Sequence, residues 1–171
     1  MRISLFVLFL LSPAPILAQS ESAVRYLVLD SVSRLPPIVR VDLEARSCRI
    51  PAGEGDSTIS AIRGEFQRKG QLDWAVLCVV GQRAQVLVFL DNAGAASDSF
   101  PSEKGHLLMV ARPAYIIQHL QWYSEDTTLA GKTDSLRAAV IHDGIEDSNN
   151  VCCSTIHYWQ SAMWQEYPGS D

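Results

Sequence analysis

The cysteines are the residues of this chain whose types and spacing bear most directly on chemistry. They are Cys48, Cys78, Cys152 and Cys153. No Cys-x-x-Cys pair accompanies them and no histidine lies at ligand spacing, so the pattern does not favour zinc. Adjacent cysteines strain the peptide between them when they bond, and on a strand their side chains point to opposite faces. Of the three possible pairings we therefore predict the disulfide Cys48–Cys78, and the state of the adjacent pair stays open.

Histidines that could act with carboxylates form a second group. His142 and Asp143 are neighbours in the sequence, but neighbours on a strand point to opposite faces and cannot act together. The chain has no Gly-x-Ser-x-Gly nucleophile motif and no His-Glu-x-x-His zinc motif. A hydrolase would have to assemble His142 or His119 with carboxylates such as Asp143 and Glu146 through the fold. This small secreted hydrolase is the alternative function, and the sequence predicts no cofactor or metal site.

Aromatic residues near the end of the chain form a third group. Tyr158, Trp159 and Trp164 lie on two predicted strands that Gln160-Ser161 joins into a hairpin. Aromatic side chains on one hairpin can form a platform for a glycan or a peptide, although they also commonly close a core. We take these three residues as the candidate binding site, with an unknown protein or glycan as the ligand.

The first 18 residues have the pattern of a secretory signal peptide. Arg2 precedes an apolar run from Leu5 to Leu11, and Ala18 marks the expected cleavage site. The run is far shorter than the ~20 apolar residues that cross a bilayer, so we expect no membrane insertion after the signal is removed. Residues 19–171 suit a single domain that is secreted or periplasmic.

The balance of charge and hydropathy narrows the classes of partner. Lys and Arg number 14 against 19 Asp and Glu, which gives a net charge of −5. Nucleic acids and anionic lipids attract clustered Lys and Arg, so we expect neither as a partner. Hydrophobic residues make up 47% of the chain and charged residues 19%, which is typical of a folded protein.

The elements that must position these groups follow from apolar periodicity. Residues 73–80 and 84–90 are apolar runs separated by Gly81-Gln82-Arg83, and they predict a hairpin. The first run is apolar on both faces, which is typical of a central strand covered on both sides. Helical spacing predicts one helix over residues 35–45 and a second that begins at Pro113.

Two polar segments are expected at the surface. Residues 91–105 have the composition of a long loop, and Asp143, Glu146 and Asp147 lie in a connection that we expect to be an exposed turn. The complete prediction is a single α+β domain. It contains a mainly antiparallel sheet of about six or seven short strands, covered by two helices.

Residues 62–76, with the sequence IRGEFQRKGQLDWAV, resemble one FG-GAP repeat, the calcium-loop unit of integrin-type propellers. In that family alternate oxygen-bearing side chains surround calcium, and a final Asp anchors the loop to the next strand. The matching positions here are Glu65, Gln67, Lys69 and Asp73. An ammonium at the position of Lys69 repels calcium, so we expect a degenerate loop that holds no metal. Asp73 then accepts backbone N–H bonds and Lys69 lies near Glu65 or Asp73; the alternative leaves Lys69 in water and the other three side chains on an ion.

A broader resemblance extends over most of the chain after the leader. The order of the Cys48–Pro51 segment, the Gly64–Cys78 element, the His142–Ile145 segment and the closing tryptophans is similar to that of uncharacterised secreted bacterial proteins. That family brings no known activity with it. Together with the missing catalytic motifs, it favours a non-catalytic secreted or periplasmic domain that acts by binding or structural support.

Overall fold

The computed structural model describes residues 24–32, 34–53, 60–126, 139–149 and 152–170. The predicted signal peptide, residues 1–18, lies outside the described residues. In chain order the strands and α-helices are β1 (Tyr26–Leu27), α1 (Pro37–Ala45), β2 (Ile50–Pro51), β3 (Ala61–Gly64), β4 (Asp73–Val80), β5 (Arg83–Phe89), β6 (Asp98–Ser102), β7 (Leu107–Ala111), α2 (Pro113–Asp126), β8 (Gly144–Ser148), β9 (Ser154–Gln160) and β10 (Met163–Pro168).

The strands form three antiparallel sheets. Strands β1 and β2 make a small ladder, whereas the two large sheets have the orders β3-β4-β5-β6 and β10-β9-β8-β7. We call these two four-stranded sheets the first sheet and the second sheet. The broad prediction of an α+β fold built on antiparallel strands is confirmed.

The two large sheets pack face to face, and each carries a helix on its outer face. Leu43 of α1 packs with the side chains of β4 that point away from the second sheet. Leu77, on the opposite face of β4, packs with Ile145 of the second sheet. Ile116 of α2 packs with Tyr158 on the far face of the second sheet. The layers are therefore helix, sheet, sheet, helix, and each apolar face is covered by a neighbour.

Strand β4 is the covered central strand that the sequence predicts. Its residues from Asp73 to Val79 are all buried, as expected for a strand packed on both faces. The β4–β5 hairpin is tighter than predicted, because Val80 pairs with Arg83 and only Gly81 and Gln82 form the turn. Gly81 has a φ of +60°, a left-handed conformation that glycine adopts without steric cost.

The predicted disulfide between Cys48 and Cys78 is confirmed. Their Cα atoms lie 5.3 Å apart, and the bond joins the segment that follows α1 to the middle of β4. Both residues belong to the apolar layer between α1 and the first sheet. The bond therefore fastens the helical layer to the sheet that it covers.

Both helices begin at prolines; α2 begins at the predicted Pro113, whereas α1 begins two residues after the start of the predicted helix 35–45. Pro37 opens α1, where the missing N–H of proline is no loss, and Val39 and Leu43 are buried one turn apart. Pro113 opens α2. Over the described parts of the chain, neither helix has the length and apolar character needed to cross a membrane.

The prediction of six or seven strands is wrong, because the described residues form ten. Strands β1 and β2 have two residues each and leave no periodic pattern. Strand β6 lies inside the segment 91–105 that was predicted to be a loop. It pairs with β5 through backbone groups and buries one side chain fully, that of Phe100, so its sequence shows little alternation.

The acidic segment predicted to be an exposed turn is instead strand β8 and the residue before it. Strand β8 pairs with β7 on one side and β9 on the other. Asp143, Glu146 and Asp147 are only 4%, 3% and 5% exposed. The sequence pattern misled because carboxylates are rarely buried unless specific partners surround them.

Candidate ligand-binding cleft

The side chains of β8 alternate between the two faces of the second sheet. Ile145 packs in the apolar layer between the sheets, and Glu146 points to the opposite face, where it meets α2. Asp147 is the next residue on the inner face. On the neighbouring strand β9, Thr155 and His157 share that inner face. The layer between the sheets thus changes from apolar to polar near this end of β8.

At that end the two sheets enclose an open cleft of about 430 Å³, which we call the polar cleft. Its walls include the end of β6, the connection from β6 to β7, and residues of β8, β9 and β10. The side chains that matter below are Glu103, His106, Asp147, Thr155, His157 and Glu166. The cleft therefore lies where the chain crosses from the first sheet to the second.

His106 and Asp147 form a close pair in the polar cleft. His106 Nδ1 lies 2.9 Å from Asp147 Oδ1, and His106 Nε2 lies 3.6 Å from Glu103 Oε2. A carboxylate only accepts hydrogen bonds, so it orients the ring with Nδ1 as the donor. The second oxygen of Asp147, Oδ2, accepts no hydrogen bond from any described residue. Asp147 therefore keeps hydrogen-bonding capacity although its side chain is only 6% exposed.

His157 forms part of the inner wall of the cleft. Its ring stacks on Phe100 of the first sheet, with centroids 3.8 Å apart and an interplanar angle of 20°. Burial disfavours the cationic ring and lowers the pKa of His157 to about 4. Its Nδ1 is buried and has no hydrogen-bond partner among the described residues, and Glu166 Oε1 lies 3.7 Å away. His157 is therefore neutral near pH 7 and incompletely satisfied.

The polar cleft has a negative lining. Glu103, Asp147 and Glu166 contribute carboxylates, and no described lining residue is Lys or Arg. Lys104 lies in the same connection as Glu103, but its ammonium donates a hydrogen bond to Gln82 Oε1 of the β4–β5 turn. The ammonium of Lys104 is therefore directed to that turn, and Lys104 does not line the cleft.

Cys152 and Cys153 are bonded to each other beside the cleft. Their Cα atoms lie 3.7 Å apart, both residues are exposed, and Cys153 lines the cleft. The backbone N–H of Cys152 donates to Asn149 Oδ1 at 2.7 Å. The adjacent pair, whose state the sequence left open, thus provides no free thiol.

Glu146 is satisfied by hydroxyl groups on the opposite face of the second sheet. Its Oε1 accepts hydrogen bonds from Tyr115 Oη at 2.7 Å, Ser154 Oγ at 2.6 Å and Ser170 Oγ at 3.3 Å. Burial raises the pKa of the Tyr115 phenol, which keeps it protonated as a donor. Glu146 therefore joins α2, β9 and Ser170, and none of these hydrogen bonds involves His119 or His142.

The histidines chosen for a hydrolase point to backbone groups. His142 Nδ1 lies 2.9 Å from Asp143 O, and its Nε2 lies 3.0 Å from Trp159 O. His119 Nδ1 lies 3.0 Å from Tyr115 O, one turn earlier in α2. The carboxylate of Asp143 accepts hydrogen bonds from Arg112 Nη1 at 2.8 Å and from Glu65 N at 3.1 Å. His142 and Asp143 therefore each have structural partners.

The three aromatic residues of the predicted platform are divided between the two faces of the second sheet. Trp159 and Trp164 pair directly across β9 and β10, with ring centroids 5.5 Å apart, and both are half-buried. Tyr158 is fully buried on the other face, where its hydroxyl donates to Ala139 O and accepts from Ile141 N. The alternation of a strand separates Tyr158 from the two tryptophans, so the three rings do not form one surface.

The loop that resembles an FG-GAP repeat is organised by Asp73. Asp73 is 0% exposed, and its carboxylate accepts hydrogen bonds from the backbone N–H groups of Phe66 and Gln67 at 2.9 and 3.0 Å. Its other oxygen accepts from Gln71 Nε2 at 2.7 Å and Asp91 N at 2.9 Å. The predicted role of Asp73 as an acceptor of backbone N–H bonds is confirmed.

The expected pairing of Lys69 is wrong. Lys69 is exposed, and among the described residues it forms no ion pair with Glu65 or Asp73. Asp73 has no need of a cation, because N–H donors already engage both of its oxygens. The loop is therefore held without an ion pair from Lys69, by the hydrogen bonds to Asp73 and by the burial of Phe66 between the sheets.

The pair formed by His106 and Asp147 is the feature that the sequence reasoning missed. The two residues are 41 positions apart, and they meet because β7 pairs with β8 so that Leu107 lies opposite Ser148. Nothing in the local pattern encodes that register. Among the described residues, no three His, Cys, Asp or Glu side chains are placed to share a metal ion. Comparisons with protein-family models, with curated proteins and with solved structures found no match to this chain.

Proposed function

We propose that this protein is a non-catalytic secreted or periplasmic binding domain and that the polar cleft is its ligand site. The observation that carries the proposal is His157, whose side chain is 5% exposed and whose Nδ1 has no hydrogen-bond partner among the described residues. Burying a polar group without a partner costs free energy, and such departures from a well-satisfied interior concentrate at functional sites. The unbonded oxygen of Asp147 in the same cleft adds to this argument.

Binding is preferred over catalysis because, among the described residues, no hydroxyl or thiol of the cleft lining forms a hydrogen bond with His106. Ser102 Oγ, which also lines the cleft, is buried without a hydrogen-bond partner among these residues. Ser154 Oγ donates to Glu146, and Cys153 is bonded to Cys152. Neither group is positioned by a hydrogen bond to His106. A lining in which no nucleophile is positioned by a base is better suited to holding a ligand than to reacting with it.

A hydrolase remains the second candidate, and the 2.9 Å contact between His106 and Asp147 favours it. A histidine oriented by a carboxylate can act as a general base on water. This pair replaces His142 or His119 as the centre that such an enzyme would use. Hydrolysis of ester or amide substrates that is lost in His106→Gln, while ligand binding is kept, would favour the enzyme.

Export is proposed on the basis of the Cys48–Cys78 disulfide. Structural disulfides form and persist in oxidising compartments. N-terminal sequencing of the protein recovered from periplasm or medium tests this proposal, and a mature chain that begins at Gln19 would support it. Recovery from the cytoplasm with Met1 retained would contradict it.

We also propose that the 65–73 loop is a metal-free relative of the FG-GAP calcium loop. The residues do not fit calcium, because N–H donors engage both oxygens of Asp73 and Lys69 replaces an expected oxygen ligand. Calorimetric titration with calcium tests this proposal. Binding tighter than about millimolar that is lost in Asp73→Ala would contradict it. Binding that appears only in Lys69→Asp would support it.

The binding proposal is tested by an NMR screen of the mature chain with neutral, anionic and cationic fragments. Fragments that bind the cleft should shift the backbone amides of Thr155 and His157. Thr155→Phe fills the cleft and should abolish those shifts. Met109→Phe adds an aromatic ring at an exposed position of β7 and serves as the matched control. No cleft shifts with any fragment class would contradict the proposed site.

A further inference from the structure

The polar cleft offers hydrogen-bond acceptors in excess of donors. Asp147 Oδ2 accepts no hydrogen bond from a described residue, and Glu166 is largely exposed at the mouth of the cleft. His157 Nδ1 is buried without a partner and faces Glu166 Oε1 at 3.7 Å, so it adds no acceptor to this set. A ligand that satisfies these atoms together must supply several N–H or O–H donors.

The charged side chains of the cleft determine which sign of ligand charge is favoured. Three carboxylates line it, and the described lining includes no Lys or Arg to balance them. The low pKa of His157 keeps that ring neutral near pH 7, so it does not offset the negative charge. These carboxylates would repel an anionic ligand and attract a cation.

The distance between two atoms of the inner wall limits which groups of the cleft can bind a ligand. Glu166 Oε1 and His157 Nδ1 lie 3.7 Å apart, which is too far for a hydrogen bond between them. The carboxylates of Asp147 and Glu166 remain as the acceptors of the lining that a ligand can use. Guanidinium carries five N–H donors and ammonium three, so both groups suit paired acceptors.

We propose that the polar cleft binds a ligand that carries an ammonium or guanidinium group, with the carboxylates of Asp147 and Glu166 as its anionic partners. This inference rests on the proposed binding function of the cleft. The volume of about 430 Å³ accommodates an arginine or lysine side chain or a short linear polyamine. The ligand source is a peptide side chain or a free amine, and the experiment separates the two.

The test compares two tripeptides by NMR titration of the mature chain. One is acetyl-Gly-Arg-Gly-amide, and the other has citrulline in place of arginine, which keeps the shape and removes the charge. The arginine peptide should shift the amides of Thr155 and His157, and the citrulline peptide should bind at least about tenfold more weakly. Spermidine and agmatine form the third and fourth arms; tighter binding of these amines than of the peptide identifies a free amine as the ligand source.

Variants that each remove one carboxylate charge test whether the peptide binds in the cleft. Asp147→Asn should weaken the arginine peptide about tenfold, because the side chain of Asp147 is nearly buried. Glu166→Gln should weaken it about two- to threefold, because Glu166 is 68% exposed. Glu44→Gln removes the same charge from the exposed face of α1 and should leave affinity unchanged. Glu166→Gln keeps the test decisive if Asp147→Asn fails to fold.

The outcomes separate this inference from the proposed function. Equal binding of the arginine and citrulline peptides would overturn recognition of the charge. Neutral or anionic fragments that bind the cleft while all cationic probes fail would overturn the inference and leave the binding function standing. Calcium shifting the same amides more strongly than the organic cations would also overturn it. Failure of every fragment at the cleft would remove the proposed function itself.

Discussion

Two buried aspartates, one in each large sheet, differ in how fully the protein satisfies them. Asp73 accepts hydrogen bonds from three backbone N–H groups and one side-chain amide. Asp147 uses one oxygen on His106, and the other accepts no hydrogen bond from a described residue. An ionised carboxylate has about four lone-pair sites, so Asp73 is saturated and Asp147 is not. Unused hydrogen-bonding capacity, more than burial, therefore distinguishes the carboxylate that is available to a ligand.

The largest expected effect comes from Asp73→Ala. Removing the acceptor leaves several buried N–H groups unpaired, so we expect the free energy of unfolding to fall by about 3–5 kcal/mol. Urea denaturation at neutral pH measures it. Glu44→Ala is the control at an exposed acidic position and should cost less than about 0.5 kcal/mol. A loss for Asp73→Ala no larger than the control would break the comparison between the two aspartates.

The next largest effect is the loss of stability when a disulfide is removed. This loss should differ between the disulfide of the first sheet and that of the second. Cys48 and Cys78 are 30 positions apart, so replacing both with alanine should cost about 3 kcal/mol through the denatured chain. Cys152 and Cys153 are 1 position apart and constrain almost no loop. Their double replacement should cost less than about 1 kcal/mol. Equal losses in urea denaturation would show that loop closure is not the dominant contribution.

The third effect is a pH dependence that belongs to the second sheet. The pKa of His157 is about 4 in the folded protein against 6.5 ordinarily, so the unfolded chain binds the proton more readily. His157 therefore gives its full stability above about pH 6.5 and loses it as the pH falls toward about 4, by up to roughly 3 kcal/mol.

The matched measurement compares the wild-type protein with His157→Gln over this range. The difference in their free energies of unfolding should shrink as the pH is lowered, because glutamine does not titrate. The other three histidines are common to both proteins and cancel. A difference that stays constant between about pH 7 and pH 4 would contradict the burial of a neutral ring at position 157.

The smallest effect on stability is expected for Asp147→Asn. Asparagine can still accept from His106, and the change removes the cost of burying a charge, so unfolding should change by less than about 1 kcal/mol. Asp73→Asn is the matched variant and should be far more destabilising, because its new NH₂ group faces N–H donors. Similar losses in urea denaturation for the two variants would mean that Asp147 is as structurally committed as Asp73.

Much of the first sheet follows from local sequence. The apolar run of β4, the glycine at the following turn and the acceptor role of Asp73 are encoded within about twenty residues of one another, at spacings that backbone geometry fixes. The Cys48–Cys78 bond followed from elimination among three pairings. These features depend little on the remote parts of the chain.

The second sheet was less predictable because β8, one of its two inner strands, departs from the apolar pattern that is usual for a buried strand. Strand β8 has the sequence GIEDS, and its carboxylates are buried by partners that come from α2, β9 and the β6–β7 connection. Only the tertiary register brings His106 to Asp147. Apolar periodicity assigns polar residues to the surface, so it misplaces polar residues that lie at buried inner positions. The candidate site was therefore the least predictable part of the molecule.

The burial of the Cys48–Cys78 bond also sets an order of events in biogenesis. Cys48 is 6% exposed and Cys78 is 0% exposed, beneath α1. An oxidising enzyme cannot reach thiols in that position once the helix has docked. We therefore expect enzymatic oxidation to precede docking of α1 onto β4. A chain that folds before this oxidation would carry two shielded thiols, which an enzyme could reach only after partial unfolding.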